Sequence, residues 1–596
     1  MADNSTVLDG ALDTINATLN STAPSSSGSA WETLRDLDFL LLEAKLVFSA
    51  LGIIYVGSHA ALRRPPSAAP APSRKKLGKK GEHDDDDEEE EEEDEEPFAH
   101  QGLELSDAIM FPLMAGIILM GLYYLIQWLN DPSIISKILR WYMSTMSILS
   151  MLTLYSHGID LVMSFVFPRY WRGRDGSLRK VDQKERVVRP CDDVGNSVEG
   201  EPASRSPLPS FVSVLAPSER TRRAAWDLRG VFTQEWLFRL YVHGMGEEKA
   251  KIRFSHMIAL VASLGTAVVY SSTTSPFLSN VLGYGLCYGS FLMLSPTDLL
   301  IATLVLSGLF VYDIVMVFYT PYMVTVATTL DVPIKLTFQA AARRSILGLG
   351  DIVLPGILMA WALRLDLWLH YRRKIKYEAT ELKIIEKDAV SGAIVTRSET
   401  KHKEVKARYI NAQGAWADRF WVRGCMLFGA KQLPAEVAAS RFPKTYFHAT
   451  VVGYSLGMAA TLAMLLVFKR GQPALLYLVP GVLGSLYLTA LARGEMKLVW
   501  GYTEDGSIDT KDVVVDLDSE GNAVKRLGKL KDGVVDTTKD EQKDKPEDKD
   551  KDGEKKSKDA SKEVKRPDSK DGEGKKRKRG HKVFYISLET PPVAED

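Results

Sequence analysis

Cysteine is scarce in this chain, whose 596 residues include only Cys191, Cys287 and Cys425. Cys287 lies in an apolar run, and the other two lie in charged segments without a CxxC spacing or a histidine partner. A small secreted scaffold held together by disulfides needs a dense set of paired cysteines. The cysteine content therefore excludes that class of protein.

An excess of charge of either sign is also missing. Lys and Arg number 75 against 76 Asp and Glu, the formal net charge is −1, and the mean hydropathy is −0.09. Basic residues are balanced by acidic ones within the same tails, which excludes a simple nucleic-acid-binding protein. Because apolar and charged residues are sorted into separate blocks, we expect one multi-span membrane domain with long polar insertions. Four soluble domains of about 150 residues each would need a more even mixture.

Long apolar runs are what the chain does contain. A helix needs about 20 mostly apolar residues to cross the hydrocarbon core of a bilayer. Nine runs meet this need approximately: Leu46–Leu62, Ala108–Leu129, Ile138–Phe167, His256–Tyr270, Phe277–Leu294, Leu299–Tyr319, Ile346–Leu363, Phe447–Phe468 and Pro473–Leu491. The fourth run is short, and its loss would invert the orientation of every later segment. The sequence predicts an all-α polytopic membrane protein with nine transmembrane helices and with disordered polar loops and tail.

Acceptor sites for N-glycosylation predict the orientation. The N-x-[ST] sequons at Asn4, Asn16 and Asn20 precede the first span, in a Ser- and Thr-rich segment with no basic n-region of a signal peptide. Such sites are modified only on the lumenal side. We therefore expect a lumenal N-terminus, and nine spans then place the C-terminus in the cytosol.

Positive charge near the span ends favours the same orientation. Basic residues follow spans one, three, seven and nine on the side predicted to be cytosolic: Arg63, Arg64, Arg74, Lys75, Lys76, Arg169, Arg172, Arg174, Arg364, Arg372, Arg373, Lys374, Arg493 and Lys497. The opposite side is sparser in basic residues but is not free of them. Sequons and charge bias therefore agree.

The polar segments divide the chain into four parts. The block Asp84–Glu96 is a run of like charge that repels itself and cannot pack, and the tail beyond about Ser507 mixes Lys with Asp and Glu. We expect a lumenal segment at 1–38, spans one to five with cytosolic insertions at 39–300, spans six to nine at 301–492, and a disordered cytosolic tail at 493–596. A charged cytosolic loop is predicted at 364–445.

Two carboxyl groups inside apolar runs are the main candidates for chemistry, because ionisable residues are costly within a membrane. Asp313 lies near the middle of span six, and Asp351 lies close to the start of span seven. Consecutive antiparallel spans can bring the two groups to one depth. Two close carboxyl groups in a poor dielectric share a proton, so that one takes a proton from water while the other polarises a carbonyl. This pairing suits peptide hydrolysis without a metal.

Glycines precede the second carboxylate. Gly348 and Gly350 remove side chains where another backbone must come close, and they permit unusual φ values. Tyr312, next to the first carboxylate, is expected to donate a hydrogen bond nearby.

A third element opens span nine. Pro473 lacks an N–H, so backbone groups near it are left free to pair with an extended substrate strand. The residues of this element are Gln472, Pro473, Ala474 and Leu475.

Other interpretations remain open at this point. A transporter or channel can use Asp160, Asp313 and Asp351 as a relay, although no matching halves are found. A catalytically silent scaffold acting through its charged segments is a second alternative. The G-x-S-x-G run Gly453–Gly457 lies in an apolar helix, and packing of small residues explains it better than a nucleophile elbow does. His157 and Asp160 are interpreted as a polar contact within the bundle.

The combined motifs resemble the GxGD intramembrane aspartyl proteases. Phe310–Asp313, Gly348–Asp351 and Gln472–Pro480 together resemble the signal peptide peptidase branch more than the presenilins. This resemblance implies nine spans, catalytic aspartates at Asp313 and Asp351, and a supporting Pro473-Ala474-Leu475 element. No cofactor is implied.

The same resemblance implies partners and a location. Its substrates are signal-peptide remnants and other type II-oriented transmembrane segments in the endoplasmic reticulum membrane, and a homo-oligomer is left open. The chain departs from the family pattern in its long charged insertions and in the absence of a dilysine signal at its last residues. Golgi or vacuolar relatives therefore remain an alternative for its location.

Overall fold

The computed structural model describes most of the apolar chain and parts of the polar segments. The described residues are 37–70, 101–129, 132–173, 175–192, 195, 198, 205–209, 212–242, 246–273, 275–330, 334–340, 343–387, 394–423, 433–468, 472–509, 513–517, 523–531, 534–536 and 584–589. The sequons at Asn4, Asn16 and Asn20, the Asp84–Glu96 block and most of the tail lie outside them. The predictions made for those segments stay predictions.

Helices dominate the described residues. They are α1 (Leu37–Ala60), α2 (Leu105–Trp128), α3 (Pro132–Val166), α4 (Glu219–Thr233), α5 (Phe254–Thr273), α6 (Pro276–Met293), α7 (Leu299–Phe318), α8 (Tyr322–Thr329), α9 (Gly350–Arg372), α10 (Trp416–Arg423), α11 (Ala435–Ala438), α12 (Thr445–Phe468), α13 (Leu475–Ala492) and α14 (Met496–Trp500). A short 3₁₀ helix covers Val212–Leu215.

Eight of the described helices are long and apolar enough to cross a membrane. They are α1, α2, α3, α5, α7, α9, α12 and α13, and they include α5, which the sequence predicted from its shortest run. Helix α6 covers the predicted fifth span but is not among the eight, because three glycines, two tyrosines and Asn280 dilute its apolar residues. The polytopic helical class is confirmed, and the count of nine spans is not.

Helix α9 lies at the centre of the bundle. Nearly every side chain from Pro355 to Tyr371 is buried, so the helix is covered on all sides. Its neighbours are α1, α6, α7, α12 and α13. The helix continues to Arg372, which corrects the prediction that a polar loop begins at residue 364. Arg364 and Asp366 lie within it, and both are buried. Each is paired with a residue of another segment.

Several helix ends meet at one end of this bundle. The Asp366 carboxylate accepts the backbone N–H groups of Tyr446 and Phe447 at 3.1 and 2.9 Å, which caps the start of α12. Arg373 at the end of α9 donates to Glu495, just after α13, at 2.7 Å. Arg63, just after α1, also donates to Glu504 beyond α13. The segments following spans one, seven and nine are therefore neighbours, and their location on one side of a membrane stays a prediction.

Short strands occupy the polar segments. They are β1 (Gln101–Leu103), β2 (Tyr170–Arg172), β3 (Leu178–Asp182), β4 (Val187–Cys191), β5 (Glu235–Val242), β6 (Gly246–Arg253), β7 (Leu294–Pro296), β8 (Lys335–Ala340), β9 (Arg343–Gly348), β10 (Lys376–Lys387), β11 (Ile394–Val405), β12 (Val513–Leu517), β13 (Ala523–Lys531), β14 (Val534–Asp536) and β15 (Phe584–Glu589).

The pairing of these strands is mostly local. β1 pairs with β7 in parallel, β2-β3-β4 form an antiparallel sheet, and β8 pairs with β9 in an antiparallel hairpin. A second compact unit comprises residues 236–251, 377–405 and 511–596, in which β10–β14 close a barrel and β15-β5-β6 form a sheet. The insertions were predicted to be mostly disordered, and that prediction is wrong for these parts, because neighbouring strands satisfy each other's backbone groups. A small apolar cluster that includes Tyr170, Leu178 and Cys191 also packs at β2–β4.

Candidate active site

Asp313 lies in the last third of α7 and is buried, with 4% of its surface exposed. The helix begins where the Asp298 carboxylate accepts the N–H of Ile301 at 2.8 Å. Apolar residues then continue the helix for about 21 Å to Asp313, at 1.5 Å per residue. One backbone amide holds the side chain, since the N–H of Leu475 donates to Asp313 Oδ2 at 3.2 Å.

Asp351 lies in the first turn of α9. Strand β9 ends at Gly348, and the N–H of Leu349 donates to the Ile334 carbonyl at 3.0 Å, which ties the start of the helix to the hairpin. An acidic side chain is favourable at this position because the helix dipole is positive there. The Asp351 side chain is partly exposed and, among the described residues, accepts no hydrogen bond.

The structure brings the two carboxyl groups together. Their charges interact, although α7 and α9 are separated in the chain by helix α8 and the β8–β9 hairpin. One carboxyl is buried and amide-bound, and the other is partly exposed and open to a further partner. This asymmetry provides one fixed and one available group at a single site.

The element that opens α13 contacts Asp313 directly. The first N–H groups of a helix have no acceptor within the helix, and Leu475 is the first residue of α13. Pro473 is buried and offers no competing N–H. The sequence predicted that free backbone groups here would meet a substrate strand, and the structure assigns the Leu475 amide to a catalytic candidate instead.

The remaining predicted support residues have smaller contacts. Gly348 and Gly350 have no positive φ, so the expected unusual backbone is absent at both. A Cβ at Gly348 would lie 3.3 Å from Asp351 Oδ2, whereas a Cβ at Gly350 would meet no described atom within 4 Å. Gln472 accepts a hydrogen bond from the Tyr477 hydroxyl.

Two further predicted positions have little polar contact with the site. Tyr312 makes no hydrogen bond with any described residue and instead packs against the core. Ala474 also packs against this core, directly before α13.

Sequence reasoning missed Tyr454 as a site residue. Its hydroxyl donates to the backbone carbonyl of Asp351 at 3.4 Å, and its ring is fully buried in α12. The signal that places it is the pair of flanking glycines. Backbone atoms of α13 lie so close that a Cβ at Gly453 would be 2.3 Å from the Gly481 oxygen, and one at Gly457 would be 2.9 Å from the Tyr477 oxygen. The prediction that this run serves helix packing is confirmed.

Asp160 and His157 are engaged elsewhere. Arg253 lies 3.4 Å from the Asp160 carboxylate, and His157 shares a short hydrogen bond of 2.5 Å with the Tyr288 hydroxyl. These are contacts within the bundle, as predicted, and they do not join Asp160 to Asp313 or Asp351. Over the described part of the chain, no group of three or more His, Cys, Asp or Glu side chains is arranged to hold a metal ion.

Comparison with known proteins adds an independent observation. Residues 91–506 match the family model described as signal peptide peptidase. This range covers every helix from α2 to α14, and with them both aspartates and the start of α13.

Individual relatives carry related names. A probable intramembrane protease of Schizosaccharomyces pombe is 30% identical over 263 residues, which are 44% of this chain and 68% of the relative. A probable intramembrane protease of Saccharomyces cerevisiae is 24% identical over 426 residues, or 68% of this chain and 61% of the relative. The signal peptide peptidase of Mus musculus is 28% identical over 308 residues, or 49% and 62%. The matched regions cover between 61% and 68% of the length of these three relatives.

Proposed function

Because the chain belongs to the signal peptide peptidase family, we propose that it is an intramembrane aspartyl endopeptidase whose Asp313 and Asp351 act as a pair. The observation that carries this proposal is the meeting of two carboxyl groups from separate helices, one of which is bound by the amide that opens α13. Neither Asp in isolation would favour catalysis over a structural role.

The proposed reaction uses the pair as acid and base. One carboxylate takes a proton from a water molecule, the resulting hydroxyl attacks the peptide carbonyl, and the protonated partner donates to the carbonyl oxygen. The tetrahedral intermediate then returns that proton to the partner carboxylate as the C–N bond breaks, and the carboxyl that took the proton from water donates it to the leaving amine. The Leu475 N–H occupies Oδ2 of Asp313 and leaves Oδ1 for the water or the substrate. Asp351 carries no hydrogen bond from a described residue and is free to reach the other side of the scissile bond.

A helical substrate must unwind before this attack, because its amides are engaged in helical hydrogen bonds. The β8–β9 hairpin leads directly into Asp351 and is a two-stranded sheet. Asn280 of α6 already pairs with the backbone of Thr337 on the outer edge of β8. The outer edge of β9 has no strand partner among the described residues. An extended substrate segment can add to such an edge. We assign the hairpin and the start of α13 to substrate alignment, with Gly348, Gly350, Gln472 and Pro473 as support.

Substrate class and location follow from the same proposal. The substrates are signal-peptide remnants and type II-oriented transmembrane helices of the endoplasmic reticulum membrane. The predicted lumenal N-terminus supports this orientation, and it gives the connection between α7 and α9 a lumenal position.

The test is cleavage of a helical membrane peptide by the purified full-length chain in lipid nanodiscs. Asp313→Ala and Asp351→Ala are each expected to abolish cleavage while the thermal unfolding midpoint stays near that of wild type. Asp160→Asn is the matched control, since it removes a membrane carboxylate outside the pair and should leave cleavage intact.

Residual cleavage after removal of either aspartate would refute the paired mechanism. A folded wild type that cleaves no such peptide, together with transport lost in Asp160→Asn, would favour the relay interpretation. A folded wild type with neither cleavage nor transport activity would favour the interpretation as a catalytically silent scaffold.

A further inference from the structure

A cavity of about 160 Å³ with charged walls lies beside α9, between the segments that follow α1 and α14. Its walls include Arg63 and Arg64 just after α1, Arg364 of α9, and Glu504 and Asp509 after α14. This volume far exceeds the ~10–15 Å³ that admits one water molecule. The cavity is separate from the paired aspartates, which lie at other positions of α7 and α9.

Glu504 organises one wall of the cavity. Its carboxylate accepts hydrogen bonds from Arg364 Nε and from the Tyr502 hydroxyl, both at 2.8 Å. It accepts two shorter ones from the Arg63 guanidinium and the Ser295 hydroxyl. Burial by itself raises the pKa of Glu504, but the two guanidinium groups and the Ser295 hydrogen bond outweigh it and hold this pKa below its ordinary value. Glu504 is therefore an anion with little capacity to accept more.

Guanidinium donors remain after these contacts. Among the described residues, Arg63 uses only Nη2, and Arg364 uses Nε for Glu504 and Nη2 for Ser295. Each guanidinium carries five N–H donors, so several at this cavity have no acceptor among the described residues. Arg64, in contrast, is occupied by Asp509 and by the Ala68 carbonyl.

The charges around the cavity do not cancel. Three lining cations, Arg63, Arg64 and Arg364, face the two carboxylates of Glu504 and Asp509. A cavity with available guanidinium donors and excess positive charge suits a phosphate group, because the phosphate oxygens accept paired N–H donors. Basic pockets between membrane helices at the headgroup level take phosphorylated lipids in this way.

We propose that this cavity binds a phosphate group, with Arg63 and Arg364 as its donors. The phosphate of a lipid headgroup and free inorganic phosphate offer the same chemistry. The position of Arg63, three residues after the end of α1, favours the lipid as source, since the headgroup layer borders the span ends.

The test measures binding to the full-length chain in nanodiscs made of phosphatidylcholine. The probes are a short-chain phosphatidylinositol monophosphate, short-chain phosphatidylcholine and inorganic phosphate, and the readout is the Kd from isothermal titration calorimetry. Arg63→Gln is expected to raise the Kd of the phosphorylated lipid about tenfold, because one charge-assisted donor is lost. Arg372→Gln is the matched control at the exposed end of the same bundle, and its Kd should stay within about twofold.

A substitution that is expected to lower the Kd distinguishes loss of the binding site from loss of the fold. Asp509→Asn removes a competing carboxylate and should lower the Kd about threefold or more, whereas damage to the cavity can only raise it. Binding of inorganic phosphate with the same pattern of variants would support the site and make the free ion its ligand. The proposal would be overturned if Arg63→Gln and Arg372→Gln changed the Kd equally, or if Asp509→Asn raised the Kd. It would also be overturned if neither the phosphatidylinositol monophosphate nor inorganic phosphate bound.

Discussion

Asp313 depends on a single backbone amide that is 162 residues away in the chain. The N–H of Leu475 is an unpaired helix-start donor, so it binds a carboxylate without breaking a bond within α13. Pro473, two residues earlier, has no N–H of its own and so cannot be a second donor. The start of α13 therefore contributes a backbone group and not a side chain, and most side-chain substitutions at Leu475 would leave this donor in place.

The amide itself can be tested. Replacement of Leu475 by its α-hydroxy analogue converts the N–H to an ester oxygen and keeps the side chain. We expect kcat to fall roughly tenfold, because a hydrogen bond to a charged group contributes about 1.5 kcal/mol or more. The control is the same replacement at Leu476, whose N–H donates to the Pro473 carbonyl at 3.3 Å. Equal losses of kcat at both positions would show that the effect comes from the backbone of α13 and not from the hydrogen bond to Asp313.

At the scale of helices, α12 and α13 form the tightest seam beside the site. Gly453 and Gly457 of α12 face the backbone of α13 around Gly481, so the two backbones come within contact. This seam holds Tyr454 against Asp351 and sets where α13 begins. The two helices thus connect Asp351 to the amide that binds Asp313.

A methyl group in the seam should disturb both stability and activity. Gly453→Ala places a Cβ 2.3 Å from the Gly481 oxygen and 2.4 Å from Ser485 Oγ. We expect a loss of about 1–3 kcal/mol in unfolding free energy and a fall in kcat as α13 moves. Thermal unfolding and peptide cleavage measure the two effects.

A glycine on the same helix supplies the control for this seam. A Cβ at Gly484 of α13 meets no described atom within 4 Å, so Gly484→Ala should change neither quantity. Ser455→Ala should also keep full activity, and its loss of cleavage would revive the nucleophile interpretation of the Gly453–Gly457 run.

At the scale of the whole molecule, the cluster around Glu504 joins segments far apart in sequence. Arg63 and Glu504 are 441 positions apart, and Arg364 lies between them in the chain. Both the Arg364 and Glu504 side chains are about 5% exposed or less, so the pair is shielded from solvent. The chain after α14 is therefore part of the folded bundle up to at least Asp509.

Acidification should weaken this cluster in a defined pH range. The pKa of Glu504 is lowered from its ordinary value of 4.5, so its contribution is complete above that pH and is lost as pH falls through the folded-state value. We expect Glu504→Gln to lower the unfolding free energy by about 3–5 kcal/mol at neutral pH, with the gap narrowing only in acid. Unfolding followed by tryptophan fluorescence reports it, because Trp361 and Trp368 lie beside Tyr502.

Asp505 provides the matched control for this pH series. It is an exposed neighbour of Glu504 whose carboxylate bonds only to its own turn. Asp505→Asn should change the unfolding free energy little at any pH. A constant gap between Glu504→Gln and wild type down to strong acid would contradict the assigned ion pairs.

Whether α6 crosses the membrane decides the orientation of everything after it. We expect acceptor sequons inserted after residue 273, between α5 and α6, and after residue 340, between β8 and β9, to be glycosylated in microsomes. A sequon inserted after residue 390, between β10 and β11, should stay unmodified. Modification at residue 390 and not at residue 340 would mean that α6 does not span.

The apolar runs and the two aspartates were readable from the sequence, since length, hydropathy and a charge in an apolar run are local properties. The fold of the polar insertions was not readable, because the β10–β14 barrel depends on pairing between segments more than 100 residues apart. The strands β2–β4 pair locally but lie in a charged segment without a clear apolar alternation. The roles of Tyr454 and Arg364 were also hidden, since an aromatic or a cation near a span end has many structural uses.

The sequence by itself determined that the chain is a helical membrane protein and which carboxyl groups lie within apolar runs, where they are candidates for function. Only the tertiary structure decided that the amide of Leu475 binds Asp313, that Gly453 seats α12 on α13, and that Arg63 meets Glu504. The physical reason is that a hydrogen bond or an ion pair depends on distances between helices, and packing sets these distances only once all the helices have met.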